Sequence, residues 1–543
     1  MIQKIRSSVV LMGLACMAFG NNYSFAQKKY HTSSSLCGGF PRVSSLKTPE
    51  GTCVGLVADQ NTVPWKFPRK ALSYDGKLYV SAFGGWVKNK GQVWELDLTR
   101  NPIAAKQIFQ GTDRTHGLRL GPQGKIYFGD ATAIYRFDPS SSHPQAESVI
   151  SNLPDSYTLP NGKTIDSNHP LTEFIVLPSG NLIVNVGAPT NDCNEEMRIN
   201  KVCAQRDVQA ELRLYYYDEA TDRYNPRYSR LARGLRNSMG LLFNEKTDEI
   251  YQAENSADQL GTPDELNVID LKEYSEGRSY DFAWPFCYGN GLRYEGYSNY
   301  KTFCGRADKP LFLLPAHVSP LDMLVYQGKM FPELRGKILM SWHGWRPSGS
   351  RIAIFDTDEV GHFRSSSPSF LIDGWQEDAK GRHPKGRPVG LAEDSSGAIY
   401  VVDDQNNSLL IVASTEDKGT PPEEDDKSDD KIHEEDLNQI FSAQQLEDWS
   451  GMYSGLIQSR DCQSCHADVV HSDEPLKTLT EMINSHWIRP GGDTAQSDQL
   501  LWQRMTGETG VRIMPPPPSE TILSGKGIPD SSYEKLKAWL EGL

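Results

Sequence analysis

Apolar residues alternate with polar ones directly behind a turn signal at six places in this chain. The copies read Asp75-Gly76-Lys77-Leu78-Tyr79-Val80, Gln123-Gly124-Lys125-Ile126-Tyr127-Phe128 and Ser179-Gly180-Asn181-Leu182-Ile183-Val184. They continue as Thr247-Asp248-Glu249-Ile250-Tyr251, Arg335-Gly336-Lys337-Ile338-Leu339-Met340 and Ser396-Gly397-Ala398-Ile399-Tyr400-Val401. A period of two behind a tight turn marks a hairpin strand, because successive strand side chains point to opposite faces. One such hairpin is common in β proteins. Six irregularly spaced copies predict six four-stranded sheets arranged radially, an all-β six-bladed β-propeller over residues 27–417. Radial repetition leaves a channel on the axis, where loops from every blade converge.

After residue 417 the pattern changes. Residues 418–436 open with Gly419-Thr420-Pro421-Pro422, run through Glu423-Glu424-Asp425-Asp426 and Asp429-Asp430, and close on Glu434-Glu435-Asp436. With Ile432 as its one large apolar group, this stretch lacks the surface to fold and reads as an acidic flexible linker. Beyond it, helical periodicity at 437–449, 478–487, 497–506 and 531–543 predicts a small all-α domain over residues 437–543.

That domain carries Cys462-Gln463-Ser464-Cys465-His466. Two thiols three positions apart add to the two vinyl groups of one haem, and the next histidine is placed to ligate its iron. A thioredoxin-like redox pair or half of a zinc site uses the same cysteine spacing, but neither needs the histidine. The reading is a cytochrome c domain with one covalent haem c on Cys462 and Cys465, His466 as one axial ligand and Met514, before Pro515-Pro516-Pro517-Pro518, as the candidate for the other. A methionine also serves as core filler.

Length and charge narrow the setting. A chain of 543 residues is too long for one core. Lys4 and Arg6 precede an apolar run at 9–19 too short to span a bilayer, and Ser24-Phe25-Ala26 supplies small cleavage-site residues, so 1–26 reads as a signal peptide. Cys16 raises the alternative of a lipid anchor, which Gly13 disfavours. Periplasmic or secreted localisation follows, with no membrane span. Besides Cys16 and the haem pair, Cys37, Cys53, Cys193, Cys203, Cys287 and Cys304 fall into three local couples, and proximity suggests Cys37–Cys53, Cys193–Cys203 and Cys287–Cys304 among the fifteen connectivities that six thiols allow. The formal charge of −14 becomes −16 without Lys4 and Arg6, which argues against a nucleic-acid partner.

Four stretches resemble the pyrroloquinoline quinone (PQQ) dependent soluble sugar dehydrogenases, and most of all their sorbosone dehydrogenase-like branch. The first is Gly234-Leu235-Arg236-Asn237-Ser238-Met239-Gly240-Leu241 with Ala253-Glu254-Asn255-Ser256-Ala257 and Pro263-Asp264-Glu265-Leu266-Asn267. The others are Phe282-Ala283-Trp284-Pro285-Phe286-Cys287-Tyr288-Gly289, the run from His169 to Asn185-Val186-Gly187-Ala188, and Gly386-Arg387-Pro388-Val389-Gly390-Leu391. The resemblance implies that PQQ, a planar tricarboxylate, is met by Arg236, Lys385 and Arg387, whose charge suits carboxylates, while Asn237 orients a carbonyl. It implies calcium held partly by backbone carbonyls around Ser256 and Ala257, although the family's Gly-Pro is absent from that loop. His169 falls at the catalytic base's position. Arg69, His116 and His317 begin blades at channel-facing positions, and His343 and Arg346 form the branch's version of a pocket wall. Where glucose-oxidising members carry an aspartate supporting the base, this chain has Ala188. Another group must orient His169, with Asp166 and Asp192 as candidates.

The combined expectation is a quinohaemoprotein that oxidises the anomeric carbon of an aldose, or a sorbosone-like small aldehyde, and passes electrons through the haem to an external acceptor such as a soluble cytochrome, a cupredoxin or the respiratory chain. The competing expectation is a cofactor-free glycan- or protein-binding propeller carrying an electron-relay cytochrome c.

Overall fold

The computed structural model describes residues 30–456, 474–484 and Trp539, apart from 101–102, 259–260, 295, 345, 376–384 and 417–433. The signal segment 1–26, Cys462, Cys465, His466 and Met514 lie outside the described residues. So do the predicted helices 497–506 and, but for Trp539, 531–543. The chain divides into two compact units, 1–421 and 422–543.

The first unit is the predicted six-bladed propeller. Blade 1 holds Pro68–Tyr74, Lys77–Ala82, Gly91–Asp97 and Ala104–Thr112; blade 2 holds Leu118–Leu120, Ile126–Gly129, Ile134–Phe137 and Glu147–Ile150. Blade 3 runs through Phe174–Val176, Leu182–Val186, Glu211–Asp218 and Arg223–Arg233. Blade 4 is Ser238–Asn244, Glu249–Glu254, Pro263–Asp270 and Phe312–Ala316. Blade 5 is Pro320–Val325, Ile338–Trp342, Arg351–Phe355 and Ser369–Ile372. Blade 6 takes Pro388–Glu393, Ile399–Asp403 and Ser408–Ser414 from the end of the unit and Thr52–Ala58 from its beginning, and this last pairing closes the ring. All six sequence repeats are the hairpin between the first and second strands of a blade. In blade 1 the two-residue turn Asp75-Gly76 has φ of 51° and 67°, the doubly left-handed turn whose twist matches a hairpin and which aspartate and glycine tolerate.

Second strands such as Leu182–Val186, Ile338–Trp342 and Ile399–Asp403 are buried along their whole length, because each blade packs both faces against neighbours. Between blades 6 and 1, Val402 and Leu409 meet Leu78, Val80 and Trp65. Each fully buried side chain of this size is worth roughly 1.5–3 kcal/mol. Outside blade 6 the hairpin Thr32–Cys37 and Phe40–Val43 adds two further strands, which the repeat pattern did not reveal. The Cys37–Cys53 disulfide ties that hairpin to the closing strand, and the other two couples also bond as expected, Cys193–Cys203 and Cys287–Cys304.

In the second unit, helices Leu437–Ile440, Ala443–Leu456 and Pro475–Asn484 occupy part of the predicted 437–449 and 478–487 segments. Trp449 is fully buried, its indole nitrogen donating to the Pro475 carbonyl (2.8 Å) and its ring 5.1 Å from that of Trp539. Among the described residues no helix is long and apolar enough to cross a membrane.

Candidate functional site

In every blade the innermost strand begins, and the second strand ends, at the same end of the channel. That topology gathers segments far apart in sequence: Arg69, His116, His169, Arg236-Asn237, His317 and Arg387 at or just before inner strands, and Gly187-Ala188, Asn255-Ser256-Ala257, His343 and Asp404 just after second strands. Three clusters form there.

The first surrounds His169. Its Nδ1 lies 2.6 Å from the carbonyl oxygen of Ala188, an oxygen that only accepts, so Nδ1 carries the hydrogen and Nε2 keeps its lone pair. The orienting group is therefore the backbone of Ala188, not Asp166 or Asp192. Ala188 is itself fixed, its N–H donating 2.7 Å to the Arg236 carbonyl. Gly187 is required by close approach: a Cβ there would stand 2.5 Å from the backbone oxygen of His169. Burial, then the adjacent Arg236 charge, push the His169 imidazole well below its usual range against the pull of the Ala188 carbonyl. It is a neutral base at physiological pH.

The second cluster lies around Asn255-Ser256-Ala257. Buried Glu254 accepts from the N–H of Arg236 (2.5 Å) and Asn237 (3.1 Å), while Asp264 accepts from Ser256 (3.0 Å) and Ser319 (2.7 Å). These carboxylates hold three loops by their backbone amides. The loop before blade 5 needs such support, because His317 and Ser319 adopt φ of 58° and 50°, which costs non-glycine residues roughly 1–3 kcal/mol each. Arg236 donates to the carbonyl of Asn255 (3.0 Å) and the side chain of Asn191 (2.8 Å) and pairs with Asp258 (3.0 Å). Three side-chain oxygens here are buried without a hydrogen-bond partner: Asn237 Oδ1, Asn255 Oδ1 and Ser256 Oγ. Burying such an atom unsatisfied costs about 1–3 kcal/mol. Burial, only partly offset by Arg236 and backbone amides, raises Glu254 to about 8, with Glu265 adding to it, and raises Asp264 to about 7; burial likewise raises Glu265 to about 7 against the pull of Lys309. Hard neutral oxygens beside buried acids form a donor set suited to calcium. Ala257 is buried in the same loop and has only its backbone carbonyl to offer.

The third cluster centres on Asp404, which the sequence reading had not singled out. Its carboxylate pairs with Arg69 and accepts from His343 Nε2 (3.0 Å). Burial alone would raise its pKa, but His343, Arg69 and Arg387 together hold it at about 2. Three basic side chains thus share one carboxylate, and Arg387 Nε is buried with no partner. Lys385 donates its N–H to the Trp375 carbonyl (2.6 Å), and Arg346 stands in the turn after His343, its carbonyl accepting from Gly349 (2.8 Å). The signal for Asp404 was present in Asp403-Asp404-Gln405-Asn406-Asn407, a polar run directly behind the apolar strand Ile399–Asp403.

Deeper on the axis the charges cancel. Lys70 contacts Glu173 (3.0 Å) and Asp322 (2.9 Å), and Arg119 contacts the same two acids at 2.7 and 3.2 Å. His116 bridges this plug to the Asp404 cluster: Arg69 donates to its Nδ1 (3.0 Å) and its Nε2 lies 3.1 Å from Glu173. Burial and Arg69 push it down to about 3 despite Glu173, so it is neutral. Beyond the plug, at the far ends of the inner strands, a cavity of about 440 Å³ is lined by residues including Leu72, Val176, Phe243 and Leu324.

This architecture is shared with characterised proteins. The chain is 23% identical over 300 residues to a pyrroloquinoline quinone-dependent pyranose dehydrogenase of Coprinopsis cinerea, a match spanning 48% of this chain and 38% of that protein. It is 26% identical over 375 residues to an uncharacterised protein of Borreliella burgdorferi, covering 66% and 88% of the two chains. Among solved structures, the holo pyranose dehydrogenase PQQ domain of Coprinopsis cinerea superposes with a TM-score of 0.53 at 19% identity, covering 71% of this chain and 98% of that one. The calcium structure of the Trichoderma reesei family AA12 enzyme gives 0.50 at 17%, covering 72% and 100%. These likenesses support the propeller fold. Residues 76–415 match the TrAA12-like family over more than half the chain, and the protein belongs to that family.

Proposed function

We propose that the protein is an exported PQQ-dependent sugar dehydrogenase that oxidises the anomeric carbon of an aldose and relays the electrons through a haem c in its C-terminal unit to an external acceptor. The observation that carries this reading is the convergence at one end of the channel of a neutral, oriented histidine, three orphaned hard oxygens and the basic side chains Arg69, His343 and Arg387 gathered around Asp404. The named activity of the Coprinopsis cinerea relatives supports it.

Arg69, His343 and Arg387 are the groups to meet the carboxylates of PQQ, with Asn237, Asn255 and Ser256 offering oxygens for calcium. When bound, the quinone supplies a hydride-accepting carbon and calcium the Lewis acidity that makes it more electrophilic. His169 Nε2 takes the proton of the anomeric hydroxyl, and the Ala188 carbonyl stabilises the imidazolium so formed by keeping its Nδ1–H bonded. Arg236 works in the opposite direction before the reaction, keeping His169 unprotonated. For the second half of the reaction, Cys462, Cys465 and His466 are the haem-attachment residues and Met514 the distal ligand candidate, and the acidic tether keeps donor and acceptor at an effective concentration of about millimolar. Export agrees with the three disulfides.

The test is reconstitution of metal-stripped full-length protein with calcium and PQQ, followed by a panel of aldoses and small aldehydes read at the haem absorption band and with an artificial acceptor. Reduction of both by at least one aldose is expected. No turnover with any sugar after confirmed quinone loading overturns the enzyme reading, and turnover with the artificial acceptor but no haem band overturns the relay.

A further inference from the structure

Trp86 has the most exposed large hydrophobic side chain among the described residues, at 70%. It is not on a loose tip. Its loop leaves blade 1 through Gly84 and Gly85, with φ of 78° and 100°, and a Cβ on Gly84 would stand 2.0 Å from the Lys90 carbonyl oxygen, so the two sides of the loop run in close contact. Phe83 and Gly84 donate their N–H groups to the Phe67 and Lys66 carbonyls, each at 2.9 Å. The indole meets Phe83 edge to face, centroids 4.9 Å apart and planes at 81°, which fixes the ring while leaving it open to solvent.

One connection ties this ring to His169, and a second ties its loop there. Through apolar contacts, Phe83 belongs to a buried cluster with Leu171, Met239, Leu321 and Val389, and Leu171 is two residues from the base. Through polar ones, Lys88 pairs with Asp155 (2.5 Å), the Asp155 carbonyl accepts from Ser167 (2.8 Å), and Ser167 Oγ accepts from the His169 N–H (3.3 Å). Arg114 also reaches Asp155 (3.3 Å). An open aromatic face, on a loop where Lys88, two residues further on, pairs with Asp155, suits a pyranose ring, which has an apolar C–H face and a rim of hydroxyls. Both routes pass through at least one intervening side chain, so the ring it would hold is not the one reacting at His169.

We infer that Trp86 forms a second saccharide subsite, and that the substrate class is an oligosaccharide presented by its reducing end. This rests on the sugar dehydrogenase reading. The test compares wild type, Trp86→Ala and Trp86→Phe in the full-length, calcium- and PQQ-loaded enzyme, using reducing tetrasaccharides of glucose, mannose, galactose and xylose beside their monosaccharides. Trp86→Ala is expected to raise the ratio of tetrasaccharide KM to monosaccharide KM by about tenfold for the preferred sugar, and Trp86→Phe by less, since one stacked ring is worth about a factor of ten. Titration calorimetry of the tetrasaccharides into quinone-free protein gives a readout independent of turnover. If wild type turns over sugars but the KM ratio is the same in all three proteins, the subsite is wrong and the enzyme reading stands. If wild type oxidises nothing yet binds a tetrasaccharide in a Trp86-dependent way, the enzyme reading fails and the subsite stands. A Trp86→Ala effect confined to the external electron acceptor assigns the ring to a protein partner and overturns the proposal.

Discussion

Two groups of buried charge lie on the propeller axis, and they differ in how far they are satisfied. In the plug, Lys70 and Arg119 face Glu173 and Asp322 at 2.7–3.2 Å, two cations against two acids, and Glu173 is held well below its ordinary range by Arg119, Lys70 and His116 in spite of burial. Around Asn255 the acids Glu254, Asp264 and Glu265 are also buried, yet all three are pushed upward and oxygens beside them have no partner. The same residue types are matched acid for cation in one place, while in the other three acids have only Arg236 and Lys309 acting on them. A complete ionic cluster is structural by default, whereas an incomplete one points to a ligand.

The largest effect that separates the two comes from paired substitutions. His169→Gln, on the incomplete side, should lower kcat by about 10²–10⁴ while the melting temperature holds. Glu173→Ala, in the plug, should cost about 3–5 kcal/mol by leaving Lys70 and Arg119 undercompensated, read by chemical denaturation. A loss of stability in the first variant matching that in the second would erase the distinction.

Next comes pH. Glu254, Asp264 and Glu265 have folded values of about 8, 7 and 7, above their ordinary ones, so their contribution to stability is present at low pH and lost as pH rises through 7 to 8. Calcium bound at the proposed site would counter that loss. Added calcium should therefore raise the melting temperature by several degrees more at pH 8 than at pH 5, and an equal shift at both would break the comparison. The histidines run the other way. His169 and His116 have folded values below 6.5, so their contribution is present above pH 6.5 and declines as pH falls below it, toward about 3 for His116. The kcat/KM of the loaded enzyme should stay level from pH 7 down to 6, and an acid limb centred at 6.5 would show that His169 is not held as described.

The smallest effect should come from Asn255→Ala, which removes one neutral oxygen. It is expected to weaken calcium by about tenfold, measured by calorimetry, with no change in the metal-free melting temperature.

Much of the fold was legible because its rules are local. A turn pair such as Asp75-Gly76 and the alternation behind it act within a few residues, so each inner hairpin could be read in isolation, and the disulfides close loops with sequence separations of 10 to 17. The outer hairpin Thr32–Cys37 and Phe40–Val43 escaped because Phe40-Pro41-Arg42-Val43 lacks the repeat's turn and alternation. At the site, His169, Arg236 and Asn237 were found from side-chain chemistry and resemblance. The group that orients His169 was not, because it is a backbone carbonyl and carries no residue-type signature.

By itself, the order of residues determined the repeating hairpins, the local cysteine couples and the cysteine–histidine spacing at Cys462, Cys465 and His466, since each is written in neighbours along the chain. Only ring closure decided that Arg69 meets Asp404 across 335 positions and that Lys70 meets Asp322 in the plug. Those contacts depend on six blades turning their inner edges to one axis, a geometry that no short stretch encodes.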